Sequence, residues 1–327
     1  MRRIRITSSA AACTIGLLSA AATLAYGTLT ESSVSAAAEI GVGAAHALPD
    51  GHLLGVFCGN SPDEVKEFEV WLGKKVDGVL GYIGQESWED FEGSTYWAVD
   101  LWSHIDRRVL WSVPLITKGA TLADAASGEY DEHYRTVANT LAAFRPQDPV
   151  IYVRSGWEFN GNWFPWSAHG KPNEFIGAFQ RFVTVFRKVS PRFRFEWNVN
   201  IGEVGMDPET AYPGDAFVDI IGMDFYWTTD WDPKEATAAF NYMVQRKWGL
   251  KWHQAFAATH GKPTAYSEWG VMADDSASYI DHVQRWFADH PVIYQTYWNS
   301  DESFKGKLSD GKRALAGASF KAAFGGP

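Results

Sequence analysis

Past Gly51 the chain alternates between short apolar or β-branched runs and longer segments whose apolar positions recur every three to four residues. The short runs are HLLGVFC at 52–58, DGVLGYI at 77–83, RVLWSVPLI at 108–116, VIYVRS at 150–155, RFEWNV at 194–199, VDIIGMDF at 218–225, PTAYSE at 263–268 and VIYQTYW at 292–298. They read as eight strands. The segments between them read as helices. In SPDEVKEFEVWLGKKV, Ser61 is placed to cap, Pro62 takes the first turn and Glu64 completes a capping box. KPNEFIGAFQRFVTVFRKVS carries apolar residues at 175, 176, 179, 182, 183 and 186, one face of a helix. SASYIDHVQRWFADHP runs up to Pro291, which opens the next strand. After the fifth strand, GEVGMDPETAYPGDAF reads mostly as loop.

Eight strands alternating with helices, with no composition break and no long linker, predict an α/β fold, a (β/α)8 TIM barrel in one domain over residues 51–327. A doubly wound open sheet is the rival, but no Gly-rich phosphate loop follows the first strand. With 327 residues, 46% of them hydrophobic, the chain can build such a core. The N-terminal residues suggest export. Arg2, Arg3 and Arg5 precede the apolar AAACTIGLLSAAATLAY, and VSA ending at Ala36 offers a cleavage site. The run is short and rich in Ala, Ser and Thr, so a signal peptide over 1–36 is expected rather than a lasting membrane anchor. A linker at 37–50 would follow, and the mature protein would be secreted or periplasmic. Cys13 would leave with the signal, and Cys58 alone could form no internal disulfide.

A net charge of −10 argues against a nucleic-acid partner. The 15% aromatic content, with 16 Trp, hints at an amphipathic ligand, because a buried indole needs a partner for its N–H. The nine His are scattered without H-E-x-x-H spacing, so neither metal nor other cofactor is expected.

In such a barrel, chemistry belongs at the carboxyl ends of the strands. Glu158 follows the fourth strand, Glu268 ends the seventh, Tyr226 follows the sixth and Trp298 ends the eighth. Strands four and seven face each other across the axis, so two Glu can approach one sugar. Retaining glycosidases need this arrangement, with carboxyl groups about 5–5.5 Å apart. Glu158 lies in RSGWEFNGNWFPW, beside Trp157, Phe159, Trp163, Phe164 and Trp166, in a segment bent by Asn160-Gly161. Rings in a turn cannot all enter one core, and those lining a surface suit the C–H face of a pyranose. SEWG repeats the pattern at Glu268 and Trp269. Tyr226 and Trp298 read equally well as a core tyrosine and a barrel cap. Strand alternation turns Arg154 inward, toward either substrate or an acid such as Asp224.

RSGWEFNGNWFPW resembles the fourth-strand motif of glycoside hydrolase family 26, the β-mannanase family, written R-x-x-H-E-x-N-G-x-W-F-x-W. FEWNVN is similar to that family's fifth-strand segment, FVDIIGMDFYW to its sixth-strand V-D-x-x-G-x-D-x-Y, and GKPTAYSEWG to its K-P-x-x-x-x-E-x-G. The match runs in order over strands four to seven, and more loosely from about 50 to 325. The resemblance implies that Glu158 is the general acid/base and Glu268 the nucleophile. It implies that Tyr226 holds Glu268 in line and that Trp298 floors the cleaved sugar. Trp157, Asn160, Trp163, Trp166, Asp224, Trp269 and Arg154 are further candidates for substrate contact. One position departs: Trp157 stands where the family has His, and indole donates a hydrogen bond but cannot accept one or take up a proton. The reaction type is kept and the choice of sugar opened. The expectation is an exported retaining β-glycoside hydrolase, endo-acting rather than exo-acting. Its substrate would be a mannan-like or other β-linked polysaccharide, bacterial exopolysaccharides included. A catalytically silent carbohydrate-binding protein and a transglycosidase are the rival readings.

Overall fold

Each apolar run forms a strand in the computed structural model, which describes residues 52–326; the expected signal segment and linker lie outside the described residues. The strands are β1 (Leu53–Phe57), β2 (Gly78–Tyr82), β3 (Arg108–Val113), β4 (Ile151–Ser155), β5 (Phe193–Asn200), β6 (Ile220–Trp227), β7 (Thr264–Val271) and β8 (Val292–Trp298). Each pairs in parallel with the next and β8 pairs with β1, so the sheet closes in sequence order. The helices are α1 (Pro62–Leu72), α2 (Trp88–Trp102), α3 (Leu122–Ser127), α4 (Asp131–Phe144), α5 (Pro172–Val189), α6 (Ala236–Gln245), α7 (Leu250–Thr259), α8 (Ala277–Asp289) and α9 (Ala314–Phe324). This is a (β/α)8 barrel.

Local sequence accounts for most of these boundaries. Ser61 Oγ accepts the Glu64 N–H at 3.2 Å, and Gly73 ends α1 in the left-handed region at φ 75°. Only half of the expected capping box forms, because the Glu64 carboxylate accepts from Lys307 Nζ at 2.6 Å instead. The apolar stripe of α5 buries Phe175, Phe179, Phe182, Val183 and Phe186 against the sheet. Burial of each such side chain contributes roughly 1.5–3 kcal/mol. The β5–β6 connection carries one short 3-10 turn, Pro208–Ala211. There the outer face of β5 is covered by aromatic rings: Trp197 packs on Phe159 at 5.0 Å, Tyr212 at 5.2 Å and Phe256 of α7 at 5.5 Å.

The interior of the barrel beneath the site is polar rather than aliphatic. Ser112, Arg154, Glu196, Asn198 and Asp224 are all buried there. Gly222 makes room for one of them, since a Cβ at that position would sit 1.8 Å from Glu196 Oε1. The β7–β8 register is irregular between Tyr266 and Trp269. Strict alternation would send one of Ser267 and Glu268 outward, but the irregularity lets both reach inward partners.

Candidate active site

Glu268 lies on the inward face of β7, not at its end as expected, since the strand runs on to Val271; it is 7% exposed, and both its carboxylate oxygens are engaged. Arg154 Nη2 donates to Oε1 at 2.6 Å, Tyr82 Oη donates to the same oxygen, and Tyr226 Oη donates to Oε2 at 2.5 Å. Arg154, rising from β4, also donates through Nη1 to Asp224 Oδ2 at 2.6 Å and through Nε to Ser112 Oγ at 3.1 Å. Asp224 accepts a second bond, from Asn198 Nδ2 at 2.8 Å. Burial alone would lower the Arg154 pKa, but Asp224, Tyr82 and Glu268 around it outweigh burial and hold it well above the usual arginine value. Burial and then the Glu268 charge push both tyrosine hydroxyls far up, so Tyr82 and Tyr226 keep their protons and act as donors.

Glu158 sits in different surroundings. It occupies the turn after β4 with φ 51°, a left-handed conformation that non-glycine residues seldom adopt. Its N–H donates to the Asn198 carbonyl at 3.0 Å, so β5 holds the turn in place. Its carboxyl group accepts from Asn200 Nδ2 at 2.7 Å on one oxygen and from Trp163 Nε1 at 2.7 Å on the other. Burial pushes the Glu158 pKa up to about 7, with the nearby Glu268 charge adding to the rise and Asn200, Trp163 and Arg154 opposing it.

Aromatic rings wall the mouth. Trp298 stacks on Phe57 at 4.0 Å and meets Tyr226 edge-on at 6.1 Å. Trp157 meets the edge of Tyr82 at 5.6 Å and lies 5.2 Å from the Arg154 guanidinium, a cation–π contact. Trp157 thus packs against the group that holds Glu268. Among the described residues no group of three or more His, Cys, Asp or Glu is arranged to hold a metal ion.

The fold brings Glu158, Glu268, Tyr226, Trp157, Trp163 and Trp298 together at the barrel mouth. Five other candidates for substrate contact are engaged by partners within the protein. Trp166 is fully buried and supports Trp157 from behind, donating to its carbonyl at 2.7 Å. Trp269 follows an inward residue and faces the helices, where it bonds Gln295 and packs on Phe287, Tyr297 and Phe320. The buried Asn160 amide is taken up by the Asn200 backbone, accepting its N–H at 2.9 Å and donating to its carbonyl at 2.8 Å. Arg154 and Asp224 form a buried ion pair at 2.6 Å, and Arg154 spends a second bond on Glu268. Tyr82, Asn198 and Asn200 entered the site without being anticipated. For the two asparagines a signal existed: in FEWNVN, Glu196, Asn198 and Asn200 alternate with Phe195, Trp197 and Val199. Tyr82 carried no such mark.

The model of glycosyl hydrolase family 26 matches residues 120–292, more than half of the chain. The chain belongs to glycosyl hydrolase family 26. This family-26 chain is 28% identical over 157 residues to a mannan endo-1,4-beta-mannosidase of Bifidobacterium adolescentis, covering 45% of this chain and 15% of that one. It is 26% identical over 191 residues to a mannan endo-1,4-beta-mannosidase of Bacillus subtilis, covering 55% and 47%. The chain therefore spans less than half the length of these curated relatives. Among solved structures, the catalytic domain of a Bacillus sp. JAMB-750 endo-β-1,4-mannanase superposes with a TM-score of 0.61 at 17% identity, covering 84% of this chain and 85% of that one. A modular endo-β-1,4-mannanase from Cellulomonas fimi gives 0.59 at 20% identity, with 83% and 71% covered. At such identities these structures share its fold.

Proposed function

We propose that this family-26 protein is an exported, retaining β-glycoside hydrolase that cleaves mannan or another β-linked polysaccharide at interior bonds. The observation that carries the proposal is the pairing of two unlike carboxyl groups at one mouth. Glu158, with its pKa raised to about 7, holds a proton over much of the neutral range. Glu268 presents its oxygens under three donors. In the first step Glu268 bonds to the anomeric carbon while the bond to the departing oxygen breaks and that oxygen takes the Glu158 proton. Esterified Glu268 carries no charge, so one cause of the raised Glu158 pKa disappears. Glu158, now ionised, takes a proton from water as the water oxygen attacks the same carbon and frees Glu268. Tyr82, Tyr226 and Arg154 hold Glu268 in line throughout. Glu158 and Glu268 are the catalytic residues in this reading, and Trp157, Trp163 and Trp298 line the sugar.

Interior cleavage of mannan is supported by the relatives, which are endo-1,4-beta-mannosidases. Trp157 in place of His makes a sugar or linkage other than mannan's the next candidate. Export rests on residues 1–36, and among the described residues no helix is long and apolar enough to cross a membrane. The test is a product profile on mannan, glucan, xylan and bacterial exopolysaccharides, with the anomer first released read by proton NMR. Retained configuration is expected. Glu268→Ala should lose about 10^4-fold or more in turnover, and azide should restore part of it with the opposite anomer. Full activity in that variant removes the nucleophile assignment. Calorimetric binding without turnover would instead indicate a silent carbohydrate-binding protein, and products longer than the substrate would indicate a transglycosidase.

A further inference from the structure

Trp231 is 63% exposed, more than any other aromatic side chain among the described residues. It lies on the loop between β6 and α6, at the same end of the barrel as Glu158 and Glu268. Tyr226, which bonds Glu268, is five positions earlier, so their Cα atoms lie within about 18 Å of each other.

The loop that presents this ring is closed on itself. Trp227 Nε1 donates to the Pro233 carbonyl at 3.0 Å, the Asp232 N–H donates to the Thr228 carbonyl at 3.0 Å, and the Thr228 N–H donates to Asp232 Oδ2 at 3.2 Å. Asp232 also faces Arg246 at 3.8 Å, and the Arg246 guanidinium lies over the Tyr242 ring at 4.8 Å. The Gly202 N–H donates to the Trp248 carbonyl at 3.1 Å, tying the segment after α6 to the loop after β5, just beyond the Asn200 that bonds Glu158. The loop is thus secured at both ends, yet its one large apolar side chain is left in water. Exposure of an indole face does nothing for folding. An exposed indole face suits an uncharged ring with one flat C–H side.

We propose that Trp231 is a platform for a sugar of an extended polysaccharide, outside the mouth that holds Glu158 and Glu268. The inference rests on the glycan-hydrolase reading and deepens it, because such a platform selects long chains over short ones. Calorimetry on Glu268→Gln, with and without Trp231→Ala, is run against β-1,4-linked manno-oligosaccharides from mannobiose to mannohexaose. Removing the ring should weaken the longest by about tenfold, one aromatic contact, and leave the shortest unchanged. In the active protein Trp231→Ala should raise KM on mannan by a similar factor without changing turnover of an aryl β-mannoside, and Trp231→Phe should restore most of the loss. Equal loss at every length, or loss at none, overturns the platform while leaving the hydrolase reading intact. If the unaltered protein neither binds nor cleaves any of these glycans, the mannan reading fails and the platform falls with it.

Discussion

The turn after β4 and strand β7 each bring one glutamate to the barrel mouth, and their surroundings share almost nothing. Around Glu268 a guanidinium and two phenols converge on a buried carboxylate. Around Glu158 an amide and an indole N–H hold a half-buried one, on a backbone in the left-handed region. The same residue type is therefore given two different electrostatic settings by its neighbours, not by its own chemistry. The two sites are not independent either. Arg154 joins Glu268 to Asp224, Asn198 joins Asp224 to Glu196, and the Asn198 carbonyl accepts the Glu158 N–H. One buried polar frame carries both acids.

The comparison breaks most severely at Arg154. Arg154→Met leaves Asp224 and Glu268 buried without their cation, and should cost about 3–5 kcal/mol of folding stability in urea melts at neutral pH. Unpaired buried carboxyl groups bind protons more tightly folded than unfolded, so part of that loss should be regained as pH falls. A variant within about 1 kcal/mol of the parent would show that the frame does not depend on this cation. A smaller effect tests whether the two acids sense each other. In Glu268→Gln the charge that helps raise Glu158 is gone, so the Glu158 titration should move down from about 7 in carbon-13 NMR of the carboxyl group. No movement would mean that the Glu268 charge does not contribute to its value. The smallest effect concerns Trp163. Its N–H favours the ionised form of Glu158, so Trp163→Phe should raise the Glu158 pKa. The falling limb of kcat/KM, expected above about pH 7 in the parent, should then shift to higher pH. A shift to lower pH would contradict this role of the indole.

Much of this was legible in advance, and the parts that were not have a common cause. The strand runs, the α5 stripe and the poor helix signal after β5 are set by neighbours a few residues apart, and each appears in the fold as expected. The capping box at Ser61 failed in one half because Lys307 competes for Glu64 from 243 residues away. Trp166 and Trp269 stood beside the catalytic candidates in sequence but pack away from the mouth, since adjacent side chains in a turn or strand point to different sides. Tyr82 was invisible because a tyrosine at a strand end has the same local sequence whether it meets a carboxylate or a core.

By itself the sequence determined the order of strands and helices and the strands beside which Glu158 and Glu268 stand. Periodicity and helix capping act within a few residues and are written locally. Only the tertiary structure decided which rings face the mouth, that Arg154 is held between Asp224 and Glu268, and that Glu158 carries the raised pKa. Those outcomes depend on partners such as Tyr82 and Glu268, 186 residues apart, whose meeting is settled by how the sheet closes.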